Sequence, residues 1–191
     1  MMQSAIFFGS PICKVDDIVD EDYNSQIIER LVEIQGANPE PRQSWVCDVY
    51  TSHNMFDLQQ DDLFTPLLTR QAELVYEFAN GFTNEKDKAA TLLNSWFNIS
   101  KKHQYQDQHI HTNSHISTVY YAKAPEGSAA TIFKSPVIDM CSFGSSFQNE
   151  VSIPPKERSL VMFCSNTPHL TGQQTIDETR ITVASNFKIG G

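Results

Sequence analysis

Residues 103–121 read HQYQDQHIHTNSHISTVYY, and the change of character inside this stretch decides the fold. Its first half is polar, while from Ile116 onward it is rich in β-branched and aromatic residues, which suit a pleated, half-buried surface. The same composition returns in HISTVYYAKA (115–124), AATIFKS (129–135), SLVMFCS (159–165) and RITVASNFKI (180–189). Pro, Gly, Ser and charged residues separate these runs, so each is bounded as a short strand. Upstream, SWFNIS (95–100) joins them: extended, it places Trp96, Asn98 and Ser100 on one face. Five such runs in one half of a chain describe an antiparallel sandwich or barrel, most simply a jelly roll of two sheets.

The first half reads differently. DEDYNSQIIERLVEIQ (20–35) places Ile27, Ile28, Leu31, Val32 and Ile34 at helical spacing behind an acidic first turn. TPLLTRQAELVYEFANGF (65–82) has Thr65 as a candidate cap, Pro66 at the first helical position, and Leu67, Leu68, Leu74, Val75 and Phe78 for a buried stripe. A short strand is expected in SWVCDVY (44–50), between polar loops, the second of which carries His53 as a loop residue. The expected fold class is α+β, mainly β, with the N-terminal helices packed on one sheet. One domain is expected over 1–191, divided into a largely helical support region (1–94) and a jelly-roll core (95–191), since 191 residues with 40% hydrophobic content suffice for one core.

The net charge of −9 excludes an ordinary footprint for duplex nucleic acid, because phosphate binding needs clustered Lys and Arg and the 14 present here are scattered. Cys13, Cys47, Cys141 and Cys164 form no CxxC pair and read as reduced, mostly buried thiols. The opening MMQSAIFFGSPICKV lacks a basic stretch followed by a long apolar run, and nowhere are 18 apolar residues consecutive. The expectation is therefore a cytoplasmic chain without a membrane segment.

Four of the six histidines fall within 103–121. His109 and His111 are one residue apart, so on an extended strand both rings leave the same face and can share a metal ion. By itself an HxH pair is equally compatible with two polar residues on a solvated strand. Asp107 would supply a carboxylate if the register slipped, His115 could replace either histidine, and His103 reads as a surface loop residue. Further on, NTPHLTGQQTIDETRITVASNF (166–187) places His169 after a hydrophobic strand and Arg180 at the start of the last one. An Arg opening a buried strand is costly unless an anion meets its planar fork. The bland alternative is a surface salt bridge from Arg180 to Asp177 or Glu178.

Taken together, SWFNIS, HIHTNSH, STVYY and RITVASN, in this order and spacing, resemble the 2-oxoglutarate and iron(II)-dependent oxygenases, within them a small group with a His-x-His pattern. The resemblance covers roughly residues 91–189 and the N-terminal helices only loosely. It implies a double-stranded β-helix with Fe(II) held by His109, His111 and His169. It further implies that 2-oxoglutarate chelates the iron and pairs its distal carboxylate with Arg180, assisted by Thr182, the Tyr121 hydroxyl and Asn98. Trp96 and the Phe residues are assigned to the core. The more common metal face has two histidines and one carboxylate; here His111 stands at the carboxylate position, which adds one positive charge to the site.

What the resemblance implies about activity is hydroxylation of a protein side chain or small molecule with O2 as co-reactant. The loops KAPEGSA (123–129) and DMCSFGSSFQNE (139–150) are the expected cover of the mouth. Two rivals share the histidines. A three-histidine cupin-like dioxygenase would act without 2-oxoglutarate and leave Arg180 no cosubstrate. A non-catalytic jelly-roll binding module would not retain iron.

Overall fold

The computed structural model describes residues 10–39, 48–81, 88–135 and 149–190. Among these residues, ten strands and two helices follow one another as β1 (Ile12–Val15), α1 (Glu21–Ala37), β2 (Tyr50–Thr51), α2 (Thr65–Asn80), β3 (Ala90–Ser100), β4 (Gln106–His109), β5 (Ile116–Lys123), β6 (Thr131–Lys134), β7 (Glu150–Ile153), β8 (Leu160–Cys164), β9 (His169–Thr171) and β10 (Arg180–Ile189). They form a six-stranded sheet in the order β1-β8-β5-β10-β3-β2 and a four-stranded sheet in the order β4-β9-β6-β7. Every pairing among them is antiparallel.

Two-residue alternation in the larger sheet sorts side chains between two destinations. Phe97 and Ile99, Ile116 and Tyr120, and Ile181, Val183 and Phe187 join the main core beneath the helices, with Leu160 and Met162 from β8. The opposite face turns toward the smaller sheet, where Tyr121, Phe133, Val161 and Phe163 pack together. Register then sets rows across that inner face. Thr182 lies between Asn98 and Tyr121, Ala184 between Trp96 and Val119, and Asn186 between Asn94 and Ser117. These rows carry the site described below.

Helix α1 starts at Asp20, whose carboxylate accepts the Tyr23 N–H at 2.8 Å, and buries Asn24, Ile27, Leu31 and Ile34. Val32, expected in the stripe, is exposed, because it falls about a quarter turn off the buried face. Asn24 docks the helix on β5: its Nδ2 donates to Ala122 O at 3.0 Å and its Oδ1 accepts from the Tyr120 hydroxyl at 2.6 Å. Helix α2 lies across β3, β10 and β5 and buries all five expected apolar residues. Gln71 anchors it by accepting the Thr118 hydroxyl at 2.8 Å.

Three local expectations are corrected. Thr65 is already the first helical residue; Phe64 occupies the cap, with no side-chain capping bond, and the preceding turn 62–64 leads straight into α2. Strand β3 begins at Ala90 rather than 95, because the ladder with β10 runs back as far as Ala90, and Leu92 packs on the core while Thr91 and Leu93 face outward. Only Tyr50 and Thr51 form the strand expected around 44–50; residues 44–47 lie outside the described residues. Cys13 and Cys164 are free, half-buried thiols, and Cys47 and Cys141 lie outside the described residues. No described helix is long and apolar enough to cross a membrane.

Candidate metal centre and anion cleft

His109 and His169 are brought together by strand pairing. They stand directly opposite each other on β4 and β9, after an irregularity that sets three residue steps on β4 (Gln106 to His109) against two on β9 (Thr171 to His169). The slipped register serves His109, while Asp107 stays exposed and offers its backbone carbonyl to the His109 ring. His111 lies just beyond β4, where its N–H donates to Ser165 O at 2.9 Å and turns the ring back toward the pair. Ring centroids are 4.3 Å apart for His109–His169, 5.0 Å for His111–His169 and 5.3 Å for His109–His111. One ring nitrogen from each lies within 4.8 Å of the other two.

The other ring nitrogens define what those three can do. His109 Nδ1 lies 2.8 Å from Asp107 O, and His169 Nδ1 lies 3.0 Å from Thr167 O. His111 Nδ1 lies 2.6 Å from Asn186 Oδ1. Each partner is a carbonyl-type acceptor, so each Nδ1 carries the proton and Nε2 is the nitrogen left to offer a lone pair. Burial, reinforced by the neighbouring rings, pushes His111 down to about 4 and His169 down to about 3. Both are therefore neutral near pH 7 and need lose no proton to ligate. Three convergent imidazoles suit iron and its neighbours, and three protein ligands leave coordination positions open.

Arg180 lies in the same cleft, deeper along β10. It is 2% exposed, and its Cζ sits 5.1 Å from the centre of the Tyr121 ring. Among the described residues Nη2 makes one long 3.4 Å bond, to Thr131 Oγ1, and Nε has no partner. Among the described residues no carboxylate pairs with it; Asp177 pairs instead with Lys102 at 2.9 Å, so the surface salt bridge does not form. Burial pulls the guanidinium below its usual value. A buried cation without an anion is expensive.

Thr182, Asn98 and Tyr121 share one row beside Arg180. Tyr121 is fully buried and its hydroxyl meets Thr131 Oγ1 at 2.7 Å; Asn98 Oδ1 is buried without a partner. The cleft is lined by the three histidines together with Asn98, Thr131, Arg180 and Thr182. Trp96, assigned to the core, lines this cleft as well and lies 5.5 Å from the His111 ring.

Sequence reading missed Thr131, which links Tyr121 to Arg180 from the opposite sheet, although alternation in AATIFKS places Thr131 and Phe133 on one face. It also missed Gln106, bonded to Thr171 at 2.9 Å on the cleft wall, for which a polar run offers no signal. His53 is in a loop as expected, yet its ring meets Trp96 edge-on at 4.8 Å. His103 is exposed, and His115 bonds to the backbone of Ile189, away from the triad. Of the two expected covering loops, 123–129 is a tight turn whose Ala129 N–H donates to Gln174; nearly all of 139–150 lies outside the described residues.

A two-sheet jelly roll thus carries a histidine triad that could hold a metal ion and, in the same cleft, a buried arginine. Residues 94–186, just under half of the chain, match a family model described as "Putative 2OG-Fe(II) oxygenase". Over those residues the chain is similar to 2-oxoglutarate and iron(II)-dependent oxygenases. Among solved structures, it is similar to the non-heme α-ketoglutarate-dependent epimerase SnoN from nogalamycin biosynthesis: 13% identity, TM-score 0.70, covering 94% of this chain and 76% of that one. It is similar too to a Pseudomonas putida prolyl-4-hydroxylase, with 15% identity, TM-score 0.65 and coverage of 94% and 93%. A Trichoplax adhaerens prolyl hydroxylase solved with a hypoxia inducible factor peptide fragment shares 9% identity at TM-score 0.66, with coverage of 93% and 83%. At these identities the likeness is one of fold. No curated protein matches the chain.

Proposed function

We propose that this oxygenase holds Fe(II) on His109, His111 and His169, anchors 2-oxoglutarate on Arg180, and hydroxylates a C–H bond of a protein side chain or small molecule. The observation that carries the reading is the coexistence, in one cleft, of three imidazoles whose ring nitrogens converge and one buried guanidinium with no carboxylate partner among the described residues. Fe(II) held by His109, His111 and His169 would supply the oxidising chemistry, one oxygen atom of O2 going into succinate as 2-oxoglutarate loses CO2 and the other into the substrate as a hydroxyl.

The chain's own residues bind and orient. Arg180 neutralises the distal carboxylate, and the Thr131, Thr182 and Tyr121 hydroxyls surround that end with short donors. Asn98 Oδ1, now without a partner, needs a donor and suits a water or a substrate group. Val119 and Trp96 wall the middle of the cleft with apolar surface, which keeps water from the reacting end. The unpaired Arg180 favours this reading over a three-histidine enzyme that works without 2-oxoglutarate.

The test is anaerobic titration of the apoprotein with Fe(II) and then 2-oxoglutarate, following the visible metal-to-ligand charge-transfer band. The band should require both additions and weaken in Arg180→Ala and His111→Ala. Iron binding without any band would overturn the cosubstrate assignment, and no iron binding would overturn the metal site.

A further inference from the structure

The three histidines are not oriented alike. His109 and His169 each rest on a backbone carbonyl two residues earlier in the chain, an acceptor that no substitution removes. His111 rests on side chains: its Nδ1 lies 2.6 Å from Asn186 Oδ1 and 3.0 Å from Ser117 Oγ. Asn186 belongs to the last strand, 75 positions away in sequence, and lies directly beside Ser117 in the sheet register.

A chain of hydroxyls converges on the same oxygen. Ser114 Oγ donates to Ser165 Oγ at 2.9 Å, Ser165 and Ser117 share a 2.8 Å bond, and Ser117 Oγ donates to Asn186 Oδ1 at 2.7 Å. Since the Ser117 proton goes to Asn186, Ser165 must supply the proton between the two serines. Every donor in the series therefore points toward Asn186 Oδ1, and the last is His111 Nδ1–H. In this arrangement the Asn186 amide presents Oδ1 to both Ser117 and His111. Were the amide reversed, Nδ2 would confront His111 Nδ1, the imidazole proton would move to Nε2, and that N–H would point at the other two rings in place of a lone pair.

We infer that Asn186 is the positioning residue of the metal site: through Oδ1, held by Ser117, it keeps His111 as the Nδ1–H tautomer with Nε2 aimed at the shared ligand position. The inference deepens the proposed iron site and rests on it for its functional meaning. His111 stands where a carboxylate is more common, and a carboxylate needs no tautomer to ligate. A histidine there does, and Asn186 supplies that control.

The tautomer can be read without any metal. Long-range 1H–15N correlation spectra of the apoprotein distinguish Nδ1–H from Nε2–H imidazole, and Co(II) titration followed by its visible bands reads ligation independently of turnover. In the natural protein His111 should be the Nδ1–H form. Asn186→Leu and Asn186→Ala, which both lack the acceptor, should populate Nε2–H and bind Co(II) about 10- to 100-fold more weakly. Having two such variants guards against one failing to fold. Asn186→Asp, which keeps an oxygen acceptor in the same place, should restore the Nδ1–H form and bind Co(II) at least as tightly as the natural protein. A folded Leu or Ala variant with unchanged tautomer and affinity would overturn the inference, as would failure of Asp to rescue. If the natural protein binds no Co(II) while the tautomer follows residue 186 as expected, the metal site fails and the positioning role survives.

Discussion

Replacing Arg180 by Met should make the metal-free protein more stable while destroying its response to 2-oxoglutarate. The guanidinium is 2% exposed and, among the described residues, has one long 3.4 Å hydrogen bond, one contact with the Tyr121 ring, and an unpartnered Nε. Met keeps much of the apolar stem and its packing while removing the charge. The contacts forfeited are worth about 1–3 kcal/mol together, whereas the desolvation penalty relieved is several kcal/mol. The balance favours Arg180→Met by about 1–3 kcal/mol, or roughly 3–10 °C in Tm for a chain of this length. With Co(II) present, 2-oxoglutarate at about 100 times its Kd should stabilise the natural protein by about 2.7 kcal/mol. The variant, having lost a buried charge pair, should bind at least about 30-fold more weakly and show little shift at the same concentration. Thermal unfolding with and without the keto acid measures both effects. If Arg180→Met melts lower than the natural protein without ligand, the guanidinium is a structural anchor rather than a waiting receptor. If 2-oxoglutarate raises both melting temperatures equally, the anion binds elsewhere.

Thr131→Val removes the oxygen shared by the Tyr121 hydroxyl and Arg180; isothermal titration should show 2-oxoglutarate affinity falling about tenfold, with Co(II) affinity unchanged. Asn24→Leu leaves the Tyr120 hydroxyl and Ala122 O buried without the Asn24 partner, so the urea midpoint should fall by the equivalent of about 2–4 kcal/mol, with α1 exchanging its amides fastest. The metal-free protein should also lose stability as pH falls from 7 to 5. His111 and His169 have folded values of about 4 and about 3 against an ordinary 6.5. The unfolded chain therefore takes up protons first, and their contribution, fully present above 6.5, declines toward the folded values. Across pH 7 to 5 each contributes up to about 2 kcal/mol of that loss. A urea midpoint that stays flat over this range, or falls equally in a His111→Gln, His169→Gln double variant, would contradict the burial of these rings.

Strand alternation made much of the site legible before any coordinates. Thr182, Ala184 and Asn186 in line behind Arg180, and Tyr121 turned inward, follow from a period of two, whereas His111 lies past the end of β4 and is held by its backbone bond to Ser165. What alternation could not supply was pairing across the cleft. Thr131 and Gln106 act only because β6 and β4 face the larger sheet, and neither carries a local mark. Boundaries failed where a partner overrode local preference: residues 90–94 looked helical, yet β10 offered a ladder along its whole length. Val32 failed for the opposite reason, since a hydrophobic residue beside a helical stripe is as free to face water as to face the core.

By itself the sequence determined the mainly β class, the two helices, and the residue types for a metal and an anion, because periodicity and composition act over a few neighbouring residues. Tertiary structure alone decided that these residues share one cleft. It set His109 opposite His169 through a local register slip, left Arg180 without a carboxylate partner among the described residues, and brought Asn186 across 75 positions onto His111. Such relations depend on which strand lies beside which. That is a property of the packed sheets, and no window of the chain contains it.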